Sequence, residues 1–145
     1  MQGNSKDLIT FSGLFRTLLK TMTHEWNKQM NHNLSYTQFK VMFMLQSAEL
    51  EKRKVSELAD SIGLTPGAIT GVVDKLLAEG YVNRERALDD RRVVYVEITA
   101  KGKELIAEVL ETQGEMISQF FNVLPEEDIQ HLRRIFTQML ANIEK

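Results

Sequence analysis

The stretch from Val55 to Thr99 changes its hydrophobic period part-way along, and that change leaves the chain few folds to choose from. Up to Gly80 the apolar residues recur at helical spacing, and beyond it they alternate. Ala59, Gly63, Ile69 and Val72 sit where two short helices meeting at a sharp turn need them: a small residue for close approach, a left-handed turn, and two branched apolar side chains. Val82 to Arg86 and Val93 to Ile98 read as two strands around a charged tip, Ala87-Leu88-Asp89-Asp90-Arg91-Arg92. Helix, turn, helix and β-ribbon in this order predict a winged helix-turn-helix, a device for reading duplex DNA.

Within the second helix, a turn of about 100° per residue sorts the side chains. Ile69, Val72, Val73 and Leu76 fall toward the core, while Gly67, Gly71, Asp74 and Ala78 fall opposite, with Thr70 and Lys75 on the flanks. Thr65 is the expected N-cap and Pro66 the first helical residue, so the helix start offers N–H groups and a positive dipole end to a phosphate. Thr65, Pro66, Gly67, Ala68, Thr70, Gly71 and Lys75 are its candidate DNA contacts. The paired glycines leave two readings open. The backbone approaches a major groove closely, with Thr65, Thr70 and Lys75 adding polar contacts; or this face reads few bases and specificity comes from elsewhere. Asp74, which a phosphate would repel, is expected to pair with a cation such as Arg84 or Arg86. At the ribbon tip, arginine suits a narrow electronegative groove because it keeps its charge.

The run LADSIGLTPGAITGVVDKLLAEGYVNRERALDDRRVVYVEITAKG resembles the DNA-binding core of the MarR (multiple antibiotic resistance regulator) family. The most specific parts are Val73-Asp74-Lys75-Leu76, Gly80-Tyr81-Val82, Asp90-Arg91-Arg92 and Ile98-Thr99-Ala100-Lys101-Gly102, and the flanking helices extend the likeness over nearly the whole chain. The resemblance implies that Arg92 enters the minor groove braced by Asp90, with Arg91 and Arg86 on phosphates. It implies that the terminal helices pair with those of a second subunit. It further implies a dimeric transcription regulator on a palindromic double-stranded operator, most often a repressor relieved by a small phenolic or amphipathic ligand. Such a ligand would bind between the dimer region and the winged region, where Leu18, Met22, Trp26, Tyr36, Phe39 and Met42 are the candidate contacts. In the family, position 71 more often carries a longer polar or basic side chain. A winged helix that has lost DNA binding and serves protein contacts is the rival reading.

Outside this core, Leu8, Phe11, Phe15, Leu18, Met22, Trp26 and Met30 recur at spacings of three and four, predicting an amphipathic helix from Ser5 to about Met30 interrupted at Gly13. So long a stripe exceeds what a small domain can cover, and part of it is expected to meet another copy of the chain. After the polar link Asn31-His32-Asn33-Leu34, Ser35 and Gln38 form a capping box for a buried second helix. Arg53-Lys54-Val55 is a candidate third strand. Thr99 caps a helix to about Phe121, and Pro125 starts the last one, striped by Ile129, Leu132, Phe136, Met139 and Ile143. The predicted fold is mainly α with a small β-wing. One chain, 1–145, holds a winged region at 35–99 between dimerisation helices at 1–30 and 100–145.

A chain of 145 residues suits one domain. The absence of cysteine removes disulfides and thiolate chemistry. His24, His32 and His131 lack metal-ligand spacing, and no nucleophile set, phosphate loop or carboxylate pair has a catalytic context, so neither enzyme activity nor a cofactor is expected. No apolar run reaches membrane-spanning length and MQGNSKD lacks a signal-peptide core, so a cytoplasmic protein is expected. The net charge of -2 is low for a DNA binder, but it is unevenly spread. Residues 1–53 carry 7 Lys/Arg against 4 Asp/Glu, residues 54–103 carry 8 against 8, and residues 104–145 carry 3 against 8. Phosphate contact therefore rests on a few placed cations.

Overall fold

Helix α1 spans Ser5–Gln29, its first turn capped by the Asn4 side chain, which accepts from the Lys6 N–H. The computed structural model describes residues 4–30 and 34–144; the polar link Asn31-His32-Asn33 lies outside the described residues. Gly13 does not interrupt α1, contrary to expectation. One glycine costs a helix about 1 kcal/mol relative to alanine, too little to break one of this length. The apolar stripe of α1 changes character along the helix. Leu8, Phe11 and Leu18 are exposed, Met22 is half-buried, and Trp26 and Met30 are buried.

Helix α2 (Tyr36–Ser47) starts with the expected box, Ser35 Oγ accepting from the Gln38 N–H at 3.1 Å and Gln38 Oε1 from the Ser35 N–H at 2.9 Å. It buries Phe39, Val41, Met42 and Leu45, although Phe43 stays exposed. A short turn through Leu50 and Glu51, both left-handed (φ 62° and 58°), leads to strand β1 (Lys52–Lys54). The strand lies one residue earlier than predicted because Val55 opens helix α3 (Val55–Ile62). Gly63, at φ 80°, ends α3, and the Leu64 N–H returns to the Ala59 carbonyl. Helix α4 follows (Pro66–Ala78), with Ile69, Val73 and Leu76 buried. Val72 is only half-buried, so Val73 takes the locking role predicted for it.

Gly80, at φ 79°, closes α4 the same way, the Tyr81 N–H returning to the Leu76 carbonyl. Strands β2 (Val82–Arg86) and β3 (Val94–Ile98) pair antiparallel with Arg84 opposite Val96, and β1 adds to the far side of β3, giving the order β1-β3-β2. β3 starts at Val94, not Val93, because the Val93 N–H turns back to the Asp90 carbonyl. Helix α5 (Ala100–Phe121) and helix α6 (Glu126–Ile143) complete the chain. Pro125 is the N-cap of α6 rather than its first residue, its extended backbone offering a carbonyl to the Asp128 and Ile129 N–H groups.

The chain divides between Leu110 and Glu111 into two units. The first contains the winged region, whose core joins Leu45, Leu58, Ile69, Leu76, Val96 and Ile106. In the second, no residue of α6 is buried, and Met139, Leu140 and Ile143 are exposed. Among the described residues no helix is long and apolar enough to cross a membrane.

Candidate nucleic-acid interface

The start of α4 is built as its sequence requires. Thr65 Oγ1 accepts from the Ala68 N–H at 3.1 Å and Pro66 fills the first helical position. Thr70 donates its hydroxyl to the Pro66 carbonyl at 2.9 Å, leaving only acceptor lone pairs for a partner. Thr65, Pro66, Gly67, Ala68, Thr70, Gly71 and Lys75 are all exposed. A Cβ added at Gly67 or Gly71 would meet nothing within 4 Å, so neither packing nor backbone conformation in this chain demands a glycine there. Asp74 pairs with Arg84 Nη1 at 2.9 Å, which selects Arg84 from the two predicted partners.

The wing tip is held by its own hydrogen bonds. Asp90 Oδ1 accepts from the Arg92 backbone N–H at 3.0 Å and from its Nε at 3.2 Å. The same two bonds, the backbone one first, hold the Asp90 carboxyl below its ordinary value. The Arg92 side chain is nevertheless 91% exposed, so the brace aims the guanidinium outward without covering it. Arg86 Nη1 donates to the Arg91 carbonyl at 2.8 Å, so Arg86 supports the tip, a task additional to the phosphate contact expected of it. Its other N–H groups remain for a partner. Between α3, α4 and the ribbon runs a groove of about 760 Å³, lined among others by Lys54, Asp60, Thr70, Arg84, Arg86 and Arg92. Of the predicted contacts, Pro66 and Thr70 of α4 and Arg86 and Arg92 of the ribbon share this groove, whereas Lys75 and Arg91 lie outside it.

Sequence reasoning missed the joint behind this surface. Thr99 Oγ1 donates to the Gly80 carbonyl at 2.7 Å and accepts from the Gly102 N–H at 3.1 Å. Lys101 Nζ donates to the Glu79 carbonyl at 2.7 Å and lies over the Tyr81 ring. A Cβ at Gly102 would overlap the Tyr81 carbonyl and crowd Ile98. The first turn of α5 is therefore fastened to the end of α4 and can be no other residue at 102 without movement. Lys103 also pairs with Glu51 beside β1.

The candidate ligand contacts behave differently. Trp26 stands edge-on to Tyr36 at 5.4 Å and tilted to Phe39 at 5.3 Å, and Tyr36 stacks on Phe39 at 6.2 Å. Trp26, Phe39 and Met42 are core residues, whereas Leu18 is exposed and Met22 and Tyr36 are half-buried. Among the described residues no three His, Asp or Glu side chains are grouped to hold a metal ion.

A sequence model of the MarR family matches residues 34–94. The HTH-type transcriptional regulator MhqR of Bacillus subtilis is 30% identical over 138 residues, which cover 95% of this chain and 89% of that protein. The chain belongs to the MarR family. Another relative, the transcriptional repressor MprA of Escherichia coli, is 27% identical over 112 residues, covering 77% of this chain but 64% of the longer MprA. The MarR-family fold is equally clear in three dimensions. A mutant MarR from E. coli complexed with operator DNA superposes with a TM-score of 0.80 at 20% identity, covering 96% of this chain and 99% of that one. Six helices and a three-stranded antiparallel sheet are the shared winged-helix architecture.

Proposed function

We propose that this MarR-family chain is a dimeric regulator of transcription that binds double-stranded DNA. Each protomer sets α4 against a major groove and its wing against the adjoining minor groove. The observation that carries the reading is the exposed Arg92 guanidinium, aimed outward by Asp90. A charge held in place but left uncovered suits a polyanion, and arginine is favoured in a narrow minor groove. The open space over Gly67 and Gly71 supports close approach of the α4 backbone to base edges, with Thr65, Pro66, Ala68, Thr70 and Lys75 around it. Arg91 and Arg86 meet phosphates. The relative solved on operator DNA shares the fold that presents these groups.

Pairing is supported by the exposed apolar residues of both chain ends, Phe11 and Leu14 in α1 and Met139 and Leu140 in α6. A two-fold dimer would read a palindrome whose half-sites lie about 34 Å apart, one turn of DNA. Repression relieved by a small phenolic or amphipathic ligand, in the cytoplasm, completes the reading. Since Trp26, Phe39 and Met42 are enclosed, that ligand would enter by Leu18, Met22 and Tyr36.

A mobility-shift titration on the DNA flanking the protein's own gene tests the proposal. Retarded, salt-sensitive complexes that a random duplex does not compete away are expected. The even charge balance of residues 54–103 favours a protein-contact module instead, and failure to retard any duplex would hand the chain to that reading.

A further inference from the structure

The wing tip carries one group that the DNA reading has not used. Leu88 is 101% exposed, more than any other large apolar residue among the described ones. The residues on either side of it are tied by hydrogen bonds. The Ala87 N–H donates to the Val93 carbonyl at 2.9 Å, the Val93 N–H to the Asp90 carbonyl at 3.0 Å, and Arg86 to the Arg91 carbonyl at 2.8 Å. An apolar side chain thus stands in water on a loop whose flanking residues are hydrogen-bonded, in the same short loop as the exposed Arg91 and Arg92.

A minor groove offers both of the chemistries that this loop presents. Its floor and rims are electronegative, and its walls are the C–H faces of deoxyribose. The guanidiniums match the first and a leucine matches the second. Guanine adds a 2-amino group to the floor, which A·T pairs lack, so a tip that enters deeply with a bulky apolar group discriminates against G·C. We propose that Leu88 is a minor-groove contact that packs on deoxyribose beside Arg92 and biases the wing's half of the site toward A·T. The inference rests on the DNA-binding reading above, with charge complementarity and continuity with the arginine-bearing tip naming the occupant.

The test uses the full chain and a duplex that the parent protein selects from a random-sequence pool. Footprinting locates the pairs under the wing, and sister duplexes carry A·T, inosine·C or G·C there. Leu88→Ser should weaken binding roughly tenfold for each wing engaged, the worth of burying about half of a leucine side chain. Its salt dependence should match the parent's, since no charge is lost. Leu88→Met should stay within about twofold of the parent, because a methionine restores apolar contact. The parent should prefer A·T and inosine·C over G·C, and Leu88→Ser should narrow that preference. Parental affinity in Leu88→Ser, or an equal loss on all three duplexes, would overturn the inference while leaving DNA binding intact. A parent that selects no duplex would overturn both.

Discussion

Asp90 restrains Arg92 through backbone and side chain at once, and the consequences are measurable one residue at a time. Arg92→Ala should weaken duplex binding by about 1–3 kcal/mol per protomer, the scale of one good groove contact, read by fluorescence anisotropy. Because the Asp90 carboxyl lies below its ordinary value of 3.8, the brace is complete above that pH and is lost only as pH falls through the depressed value. Between about pH 5 and 8, where histidine rather than carboxylate titrates, parent and Asp90→Asn should therefore show affinity profiles of the same shape at constant salt. A step present in the parent and absent from the variant would contradict this. Lys75→Ala should lower the slope of log affinity against log salt by roughly one per protomer, since one fewer counterion set is released. These residues were legible because a motif and a charge pattern pointed at them. The support that Arg86 gives to Arg91 was not, since it depends on how the tip folds back on itself.

For whole elements, local chemistry decided what could be read in advance. The Thr65 and Ser35 caps and the glycine turn at Gly63 depend on residues within five of one another, and all form as the sequence indicates. Gly102 is different: its need arises from Tyr81, far away in sequence and hard against it in space. The two kinds of glycine should respond oppositely to alanine. Gly71→Ala should stabilise α4 by about 0.5–1 kcal/mol, because open space receives the methyl group and helix propensity improves, while duplex binding weakens. Gly102→Ala should destabilise by about 1–3 kcal/mol through overpacking. Thermal unfolding of both variants beside a binding titration separates a glycine kept for a partner from one kept for the fold. A Gly71→Ala variant that binds DNA as the parent does would remove close backbone approach as the way α4 works.

Each of the two units carries exposed apolar residues, on α1 in the first and on α6 in the second. Periodicity showed where α1 would be apolar; only the packed structure shows that its C-terminal part reaches the core while its N-terminal part stays exposed. A stripe is legible from spacing, but what covers it is a matter of how many elements the chain has to spare. Placing a charge on that surface, as in Leu14→Glu, should turn a dimer at micromolar concentration into a monomer by sedimentation velocity. It should also abolish two-half-site binding without lowering the helix content. A parent that sediments as a monomer at that concentration would refute the pairing.

The bonds from Thr99 and Lys101 to Gly80 and Glu79, with Gly102 pressed against Tyr81, weld the opening turn of α5 to the end of α4. A twist imposed on the opening turn of α5 would therefore be carried by these bonds to the tail of α4. A small molecule of the kind proposed above would then have no reason to melt or repack the proposed DNA-reading surface; turning it away would be enough.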